Sequence, residues 1–263
     1  MPLPSNPRLD LALAAANQAG ELLLSYFRRR SFSTEQKVDG SPVTTADREA
    51  EQLIRRLVHD AFPTDGVLGE EFGETPAPSG YRWIIDPIDG TTSFIHGVPL
   101  WGTLIGIEHE GRMVAGVIHM PALAESIYAA AGGGAWHSFQ GAAPRLAHVS
   151  STSDLQQAML CITSLDYFTR NNREAAFFKL ARATRSMRGW SDCYSHLLLA
   201  TGRCDAVVEP GVHPWDMAAS LAIIPEAGGA CTDWEGKPSA YSGNGILSNG
   251  AIHDGLLSTV RSA

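Results

Sequence analysis

Positive charge is in short supply in this chain. Lys and Arg number 20 against 28 Asp and Glu, a formal charge of −8 at pH 7. That excess disfavours non-specific attraction to nucleic acid or to an anionic membrane, so neither is expected as a partner. Cysteine is sparse too. Cys161, Cys193, Cys204 and Cys231 stand far apart, with no C-x-x-C pair and no His-x-x-x-His partner that would suggest zinc. They read as reduced, mostly buried thiols of a cytoplasmic protein. Long apolar runs are missing: the opening MPLPSNPRLD has no basic or apolar leader region, and the following LALAAANQAGELLL is interrupted by Asn17, Gln18 and Glu21. Neither a signal peptide nor a membrane span is expected. Repeats, low-complexity tracts and long linkers are absent as well.

What is present is an ordinary globular composition, 44% hydrophobic and 18% charged over 263 residues, long for one small domain and short for two independent ones. Leu9, Ala12, Leu13, Ala16, Ala19, Leu23, Tyr26 and Phe27 recur mostly at helical spacing and end on Arg28 to Arg30, cations suited to a helix C-terminus. A polar, turn-rich segment, KVDGSPVTTAD, leads to a second helix from Ala50 to Phe62 with Thr44 or Thr45 as its cap. Short strands follow at Gly66 to Gly69 and Trp83 to Ile85, then two more around a Glu110-Gly111 turn, with ESIYAAAGGGAWH continuing the sheet. After residue 140 or so, strands at Met159 to Thr163, Ala206 to Val208 and Ile246-Leu247 alternate with four helices, which implies a second α/β lobe. Residues 1–140 and 141–263 are the expected lobes, and a cleft between them is the natural site.

Carboxylates stand where packing alone would not place them. Asp47 follows SPVTTA, Glu70 and Glu71 follow a glycine, Asp86 and Asp89 close WIIDPID, and Asp216 follows Pro214-Trp215. Singly, Asp47 reads equally as a helix first-turn acid, Asp216 as an N-cap and Glu71 as a solvated charge. The Asp86/Asp89 pair resists that treatment. Two carboxylates beside the apolar Trp83-Ile84-Ile85 repel unless one is protonated or a cation joins them. Oxygen-only ligands favour magnesium or manganese over zinc. GTTSF follows at once, a glycine and two hydroxyl residues opening a helix whose N–H groups suit a phosphate.

The combination KVDGSPVTTAD, GEE, WIIDPIDGTTSF and EPGVHPWDMAA-x6-EAGG resembles the inositol monophosphatase superfamily of magnesium-dependent phosphomonoesterases. The resemblance implies a two-lobed αβαβα sandwich, an α/β fold of the inositol monophosphatase/fructose-1,6-bisphosphatase type, assembled as a homodimer. It implies two or three Mg2+ per site, held by Glu70, Asp86, the Ile88 carbonyl, Asp89 and Asp216, with Mn2+ as an alternative. Asp47 and Thr91, with Glu70, match positions that activate the attacking water. Gly90, Thr91 and Thr92 match those that hold phosphate oxygens. No histidine is required; His96 and His213 read as loop or core residues.

The leaving group of the small phosphate monoester is read from RGWSDCYSH and the residues before the W-D motif. By the same resemblance Trp190, Ser191, Asp192 and Glu209 contact the alcohol, and Asp216 also binds substrate. Two acids beyond the metal set suit a cationic leaving group, and RGWSDCYSH with IHGVPLWGTLIG resembles the histidinol-phosphatase branch, which points to histidinol phosphate. Asp192 reads alternatively as a helix N-cap. Ser191 and Thr92 depart from that branch, and Thr92-Ser93-Phe94 is nearer the inositol phosphatase pattern. An inositol-1-phosphate or broad sugar-phosphate phosphatase is therefore the alternative enzyme, and a metal-binding regulator without activity the alternative class.

Overall fold

Helix α1 (Pro7–Arg29) opens on Asn6, whose side chain accepts the Arg8 and Leu9 N–H groups at 3.1 and 3.2 Å, the partners a first turn otherwise lacks. The structure, a computed structural model, describes residues 6–37, 40–190 and 192–263. Helix α2 (Thr45–Ala61) is capped by Thr44, one of the two candidates. The segment between the helices, expected only as a turn, contains a ribbon of β1 (Thr34–Gln36) and β2 (Pro42–Thr44). Its first strand is exposed throughout, so it carries no apolar alternation to read.

The first sheet has eight strands: β3 (Gly66–Gly69), β4 (Gly73–Glu74), β5 (Tyr81–Asp89), β6 (Gly102–His109), β7 (Arg112–Met120), β8 (Glu125–Ala130), β9 (Ala135–Phe139) and β10 (Arg145–Leu146), in the order β10-β9-β8-β7-β6-β5-β3-β4. The β6–β7 hairpin turns where expected, with positive φ at both Glu110 and Gly111, the backbone a tight hairpin requires. Strand β5 runs further than its apolar core suggests, through Asp89, and its register against β6 shifts between Asp86 and Asp89. In a regular strand residues three apart point to opposite faces. The bulge, at Pro87 and Ile88, is what allows Asp86 and Asp89 to converge.

Helix α3 (Thr91–His96) follows β5 directly. The second sheet, ordered β12-β11-β13-β15-β14, is built from β11 (Met159–Ile162), β12 (Ser186–Gly189), β13 (Ala206–Glu209), β14 (Ala230–Thr232) and β15 (Gly245–Ser248), with helices α4 (Leu165–Arg170), α5 (Glu174–Ala183), α6 (Asp192–Ala200), α7 (Pro214–Glu226) and α8 (His253–Arg261). The pieces not anticipated, β4, β10, β12, β14 and α4, are all of two to six residues, too short to show a period.

Three apolar cores stack these elements into the expected αβαβα layers. α1 and α2 cover one face of the first sheet with Leu9, Ala16, Leu23 and Ile54 against Ile85, Ile105 and Val117. α6 and α7 fill the space between the sheets, and α4, α5 and α8 cover the far face of the second. The α7 backbone lies unusually close to the first sheet. A Cβ at Gly106 would stand 2.5 Å from the Ala218 Cβ, and one at Gly116 2.4 Å from the Ala219 carbonyl. These two glycines set the depth at which α7 delivers Asp216. Among the described residues no helix is long and apolar enough to cross a membrane.

Candidate active site

The bulged end of β5 supplies the centre of the site. Asp86 is 2% exposed and Asp89 9% exposed, and with Asp216 from the first turn of α7 they place three carboxylate oxygens within 4.8 Å of one another. Asp216 is not the N-cap considered for it: His213 is the N-cap, and Asp216, three residues on, closes a capping box by accepting the His213 N–H at 2.7 Å on its Oδ2. Asp89 is steadied from the other lobe by the Cys193 N–H, 2.5 Å from its Oδ2. Burial, then the charges of Glu70, Asp89 and Asp216, pushes Asp86 well above the usual carboxylate range. Burial, then Asp192 and Asp216, does the same to Asp89, and burial raises Asp216 to about 8.

Asp47 lies at the N-terminus of α2 in a capping box. Its Oδ2 accepts both the Thr44 N–H at 2.8 Å and the Thr44 hydroxyl at 2.6 Å. That arrangement turns Oδ1 toward the Thr91 hydroxyl, 3.4 Å away, while Thr91 donates to the Ile88 carbonyl at 2.9 Å. First-turn acid and neighbour of Thr91 are therefore the same residue. Burial raises the Asp47 carboxyl to about 7.

Glu70 is in contact with Asp86 and accepts from the Lys37 ammonium at 2.6 Å; Glu71 accepts from the same ammonium at 2.7 Å. Glu71 is thus paired rather than simply solvated. Gly90 caps α3 with φ 86°, and a Cβ there would meet the Leu100 carbonyl at 2.9 Å and an Asp192 oxygen at 3.1 Å. Only glycine suits both the left-handed turn and the close approach. Thr92 is exposed and its carbonyl faces the His96 ring at 2.8 Å.

The acids expected to contact the alcohol come from elements of the second sheet layer. Asp192 opens α6 and Glu209 ends β13, and both receive the Thr163 hydroxyl at about the same range, 3.2 Å for Asp192 and 3.0 and 2.9 Å for the two Glu209 oxygens. Burial, then the neighbouring Asp192, holds Glu209 well above its ordinary value. Ser191 lies outside the described residues.

The sequence profile of the inositol monophosphatase family matches residues 6–263. The chain belongs to the inositol monophosphatase family. It is 44% identical over 255 residues to a histidinol-phosphatase of Chlorobaculum parvum, covering 97% of this chain and 96% of that one, and 39% identical over 253 residues to one of Mycobacterium tuberculosis, covering 96% and 97%. Among solved structures, an IMPase of Thermotoga maritima superposes with a TM-score of 0.85 at 33% identity, over 98% of each chain. The protein is a phosphoric monoester hydrolase of a metal-dependent family.

The residues present fit a hard divalent cation. The Asp86 Oδ1 is buried without a hydrogen-bond partner among the described residues, beside two further carboxylates and no soft ligand. A cation joining the cluster offsets its repulsion and gives the Asp86 Oδ1 the partner it lacks. A divalent cation that binds the folded state alone stabilises it by about 2.7 kcal/mol at a hundredfold excess over Kd. For a chain of this size the expected rise in Tm is roughly 5–10 °C, read by differential scanning fluorimetry on chelator-treated protein with and without Mg2+. No shift would remove the cluster from the metal assignment.

Several residues that touch these side chains or their turns escaped the sequence reading. Glu51, fully buried in α2, accepts the Glu71 and Phe72 N–H groups at 2.7 and 3.2 Å and pairs with Arg55 at 2.7 Å, which holds the Glu70-Glu71 turn. Its signal was available: Asp47, Glu51 and Arg55 follow one another at i, i+4 and i+8 along the buried stripe. Lys37 and Thr163 offered none, since nothing in one dimension ties them to Glu70 or to Asp192.

Proposed function

We propose that this phosphatase hydrolyses histidinol phosphate to histidinol and phosphate with Mg2+ as its metal, by direct attack of water and without a covalent phospho-enzyme. The observation that carries the choice of ester is the convergence of Asp192 and Glu209 on one hydroxyl, beyond the Asp86/Asp89/Asp216 cluster. A leaving alcohol with an ammonium and an imidazole gains charge-assisted hydrogen bonds there, whereas a neutral polyol meets the same oxygens only as hydroxyl acceptors. The names of the two similar histidinol-phosphatases support the same ester.

In this reading Glu70, Asp86, Asp89, Asp216 and the Ile88 carbonyl hold the cations. When bound, such cations polarise the phosphoryl group, acidify the attacking water and stabilise the leaving oxygen. The Thr91 hydroxyl accepts the proton of that water as it passes its own to the Asp47 carboxylate, which ends protonated; Asp47, raised to about 7, is poised for it near neutral pH. The N–H groups of Gly90, Thr91 and Thr92 hold phosphate oxygens. Asp216, Ser191, Asp192 and Glu209 orient the alcohol.

The test is a phosphate-release panel with Mg2+, comparing histidinol phosphate, inositol-1-phosphate, fructose-1,6-bisphosphate and adenosine 3′,5′-bisphosphate. Histidinol phosphate is expected to show the highest kcat/KM, and a higher value for inositol-1-phosphate would overturn the assignment. The second reading, an inositol or broad sugar-phosphate phosphatase, is favoured by Thr92-Ser93-Phe94 and by 35% identity to a fructose-1,6-bisphosphatase/inositol-1-monophosphatase of Thermotoga maritima.

A further inference from the structure

The carboxyl ends of three neighbouring parallel strands meet at one hydroxyl. β11 lies between β12 and β13 and runs parallel to both. The chain leaving β11 at Thr163 therefore passes between Asp192, which follows β12, and Glu209, which ends β13. Ligand sites in α/β sheets gather at such strand ends.

A threonine hydroxyl carries one proton. Here three carboxylate oxygens stand within 3.2 Å of it, one from Asp192 and two from Glu209. The hydroxyl donates to one of them at a time, so it cannot serve both Glu209 oxygens at once. What surrounds Glu209 adds to this: it is 3% exposed, and Asp192 and Asp216 both act on it as like charges. A nitrogen cation seated between Asp192 and Glu209 supplies the N–H donor that the Thr163 hydroxyl cannot give to both Glu209 oxygens, and meets the charge of both acids. The β-branch of threonine restricts χ1, which keeps the hydroxyl aimed between the acids.

We propose that Thr163 is a positioning residue for substrate selection: its hydroxyl holds Glu209 against Asp192 so that the two carboxylates converge on the nitrogen cation of the leaving alcohol. This rests on the reading of the substrate as a cationic phosphomonoester. Thr163 touches none of the reacting atoms and acts through the acids it orients.

The test compares wild type, Thr163→Val and Thr163→Ser in steady-state kinetics with Mg2+, on histidinol phosphate and on the neutral alcohol's ester glycerol 2-phosphate. In Thr163→Val the ratio of kcat/KM between the two esters is expected to fall about tenfold, with the change in the KM for histidinol phosphate rather than in kcat, as for loss of uniform binding. Thr163→Ser, which restores the hydroxyl, is expected to recover most of that ratio. An unchanged ratio in Thr163→Val, equal effects on both esters, or no recovery in Thr163→Ser would overturn the proposal. If Thr163→Val lacks a cooperative thermal transition, Thr163→Ala, which adds no methyl against the acids, is read by the same criteria. A wild-type enzyme with no preference for histidinol phosphate overturns the substrate reading and this proposal with it. A wild-type preference that survives loss of the hydroxyl overturns this proposal alone.

Discussion

Asp86→Asn is expected to lower phosphate release by at least about a thousandfold, some 4 kcal/mol of transition-state stabilisation. The carboxylate is 2% exposed, in contact with Glu70 and close to Asp89 and Asp216, and its Oδ1 has no partner in the protein among the described residues. The amide is nearly isosteric, so packing changes little, but it removes one negative charge and turns a donor toward a site built from acceptors. A second readout has the opposite sign. Asp86 is held well above its ordinary value by burial and by its acidic neighbours, so in the metal-free protein the folded state binds the extra proton. Its contribution is present at low pH and is lost as pH rises through the raised folded value. Asn cannot ionise, so at pH 8 and without metal the variant is expected to melt at or above the wild-type temperature, and to gain little when Mg2+ is added. Turnover near the wild-type rate, or an undiminished response of Tm to Mg2+, would sink the assignment of Asp86 to the metal site.

Thr91→Ala is expected to lower kcat by about a hundred- to ten-thousandfold, the range for loss of a positioned proton acceptor, while the Mg2+-induced rise in Tm stays. The hydroxyl donates to the Ile88 carbonyl and faces Asp47 Oδ1, whose other oxygen is occupied by Thr44. Removing it unties the pair proposed to activate the water without touching the three clustered carboxylates. The two measurements separate the roles: loss of turnover with metal response intact belongs to Thr91, loss of both to Asp86. Unchanged turnover in Thr91→Ala would take the residue out of the mechanism.

Much of this site was legible in one dimension because its parts are local. WIIDPIDGTTSF holds two of the three clustered carboxylates, the Ile88 carbonyl, Thr91 and the Gly90 turn within a single strand-to-helix junction, and helix spacing, apolar runs and turn glycines each leave their own mark there. What was not legible joins distant segments. Lys37 reaches Glu70 and Glu71 across 33 and 34 residues, and Cys193 reaches Asp89 across 104. Thr163 reaches Asp192 and Glu209 only because β11 sits between their strands. The short strands β4, β10, β12 and β14 escaped for a different reason: pairing, not propensity, makes a two- to four-residue strand.

By itself the sequence determined an α/β chain with an acidic, metal-ready junction at the end of one strand, because periodicity, turn chemistry and misplaced charges are written residue by residue; the phosphatase activity came from the resemblance its motifs carry. Only the tertiary structure decided that Asp86 and Asp89 face the same way, since a regular strand would point them apart and the bulge at Pro87-Ile88 does not. It also decided how deep α7 seats Asp216 and which hydroxyl joins Asp192 to Glu209. Those are matters of register and of the approach of one layer to another, set by Gly106 and Gly116 beneath α7 and by the order of strands in the second sheet.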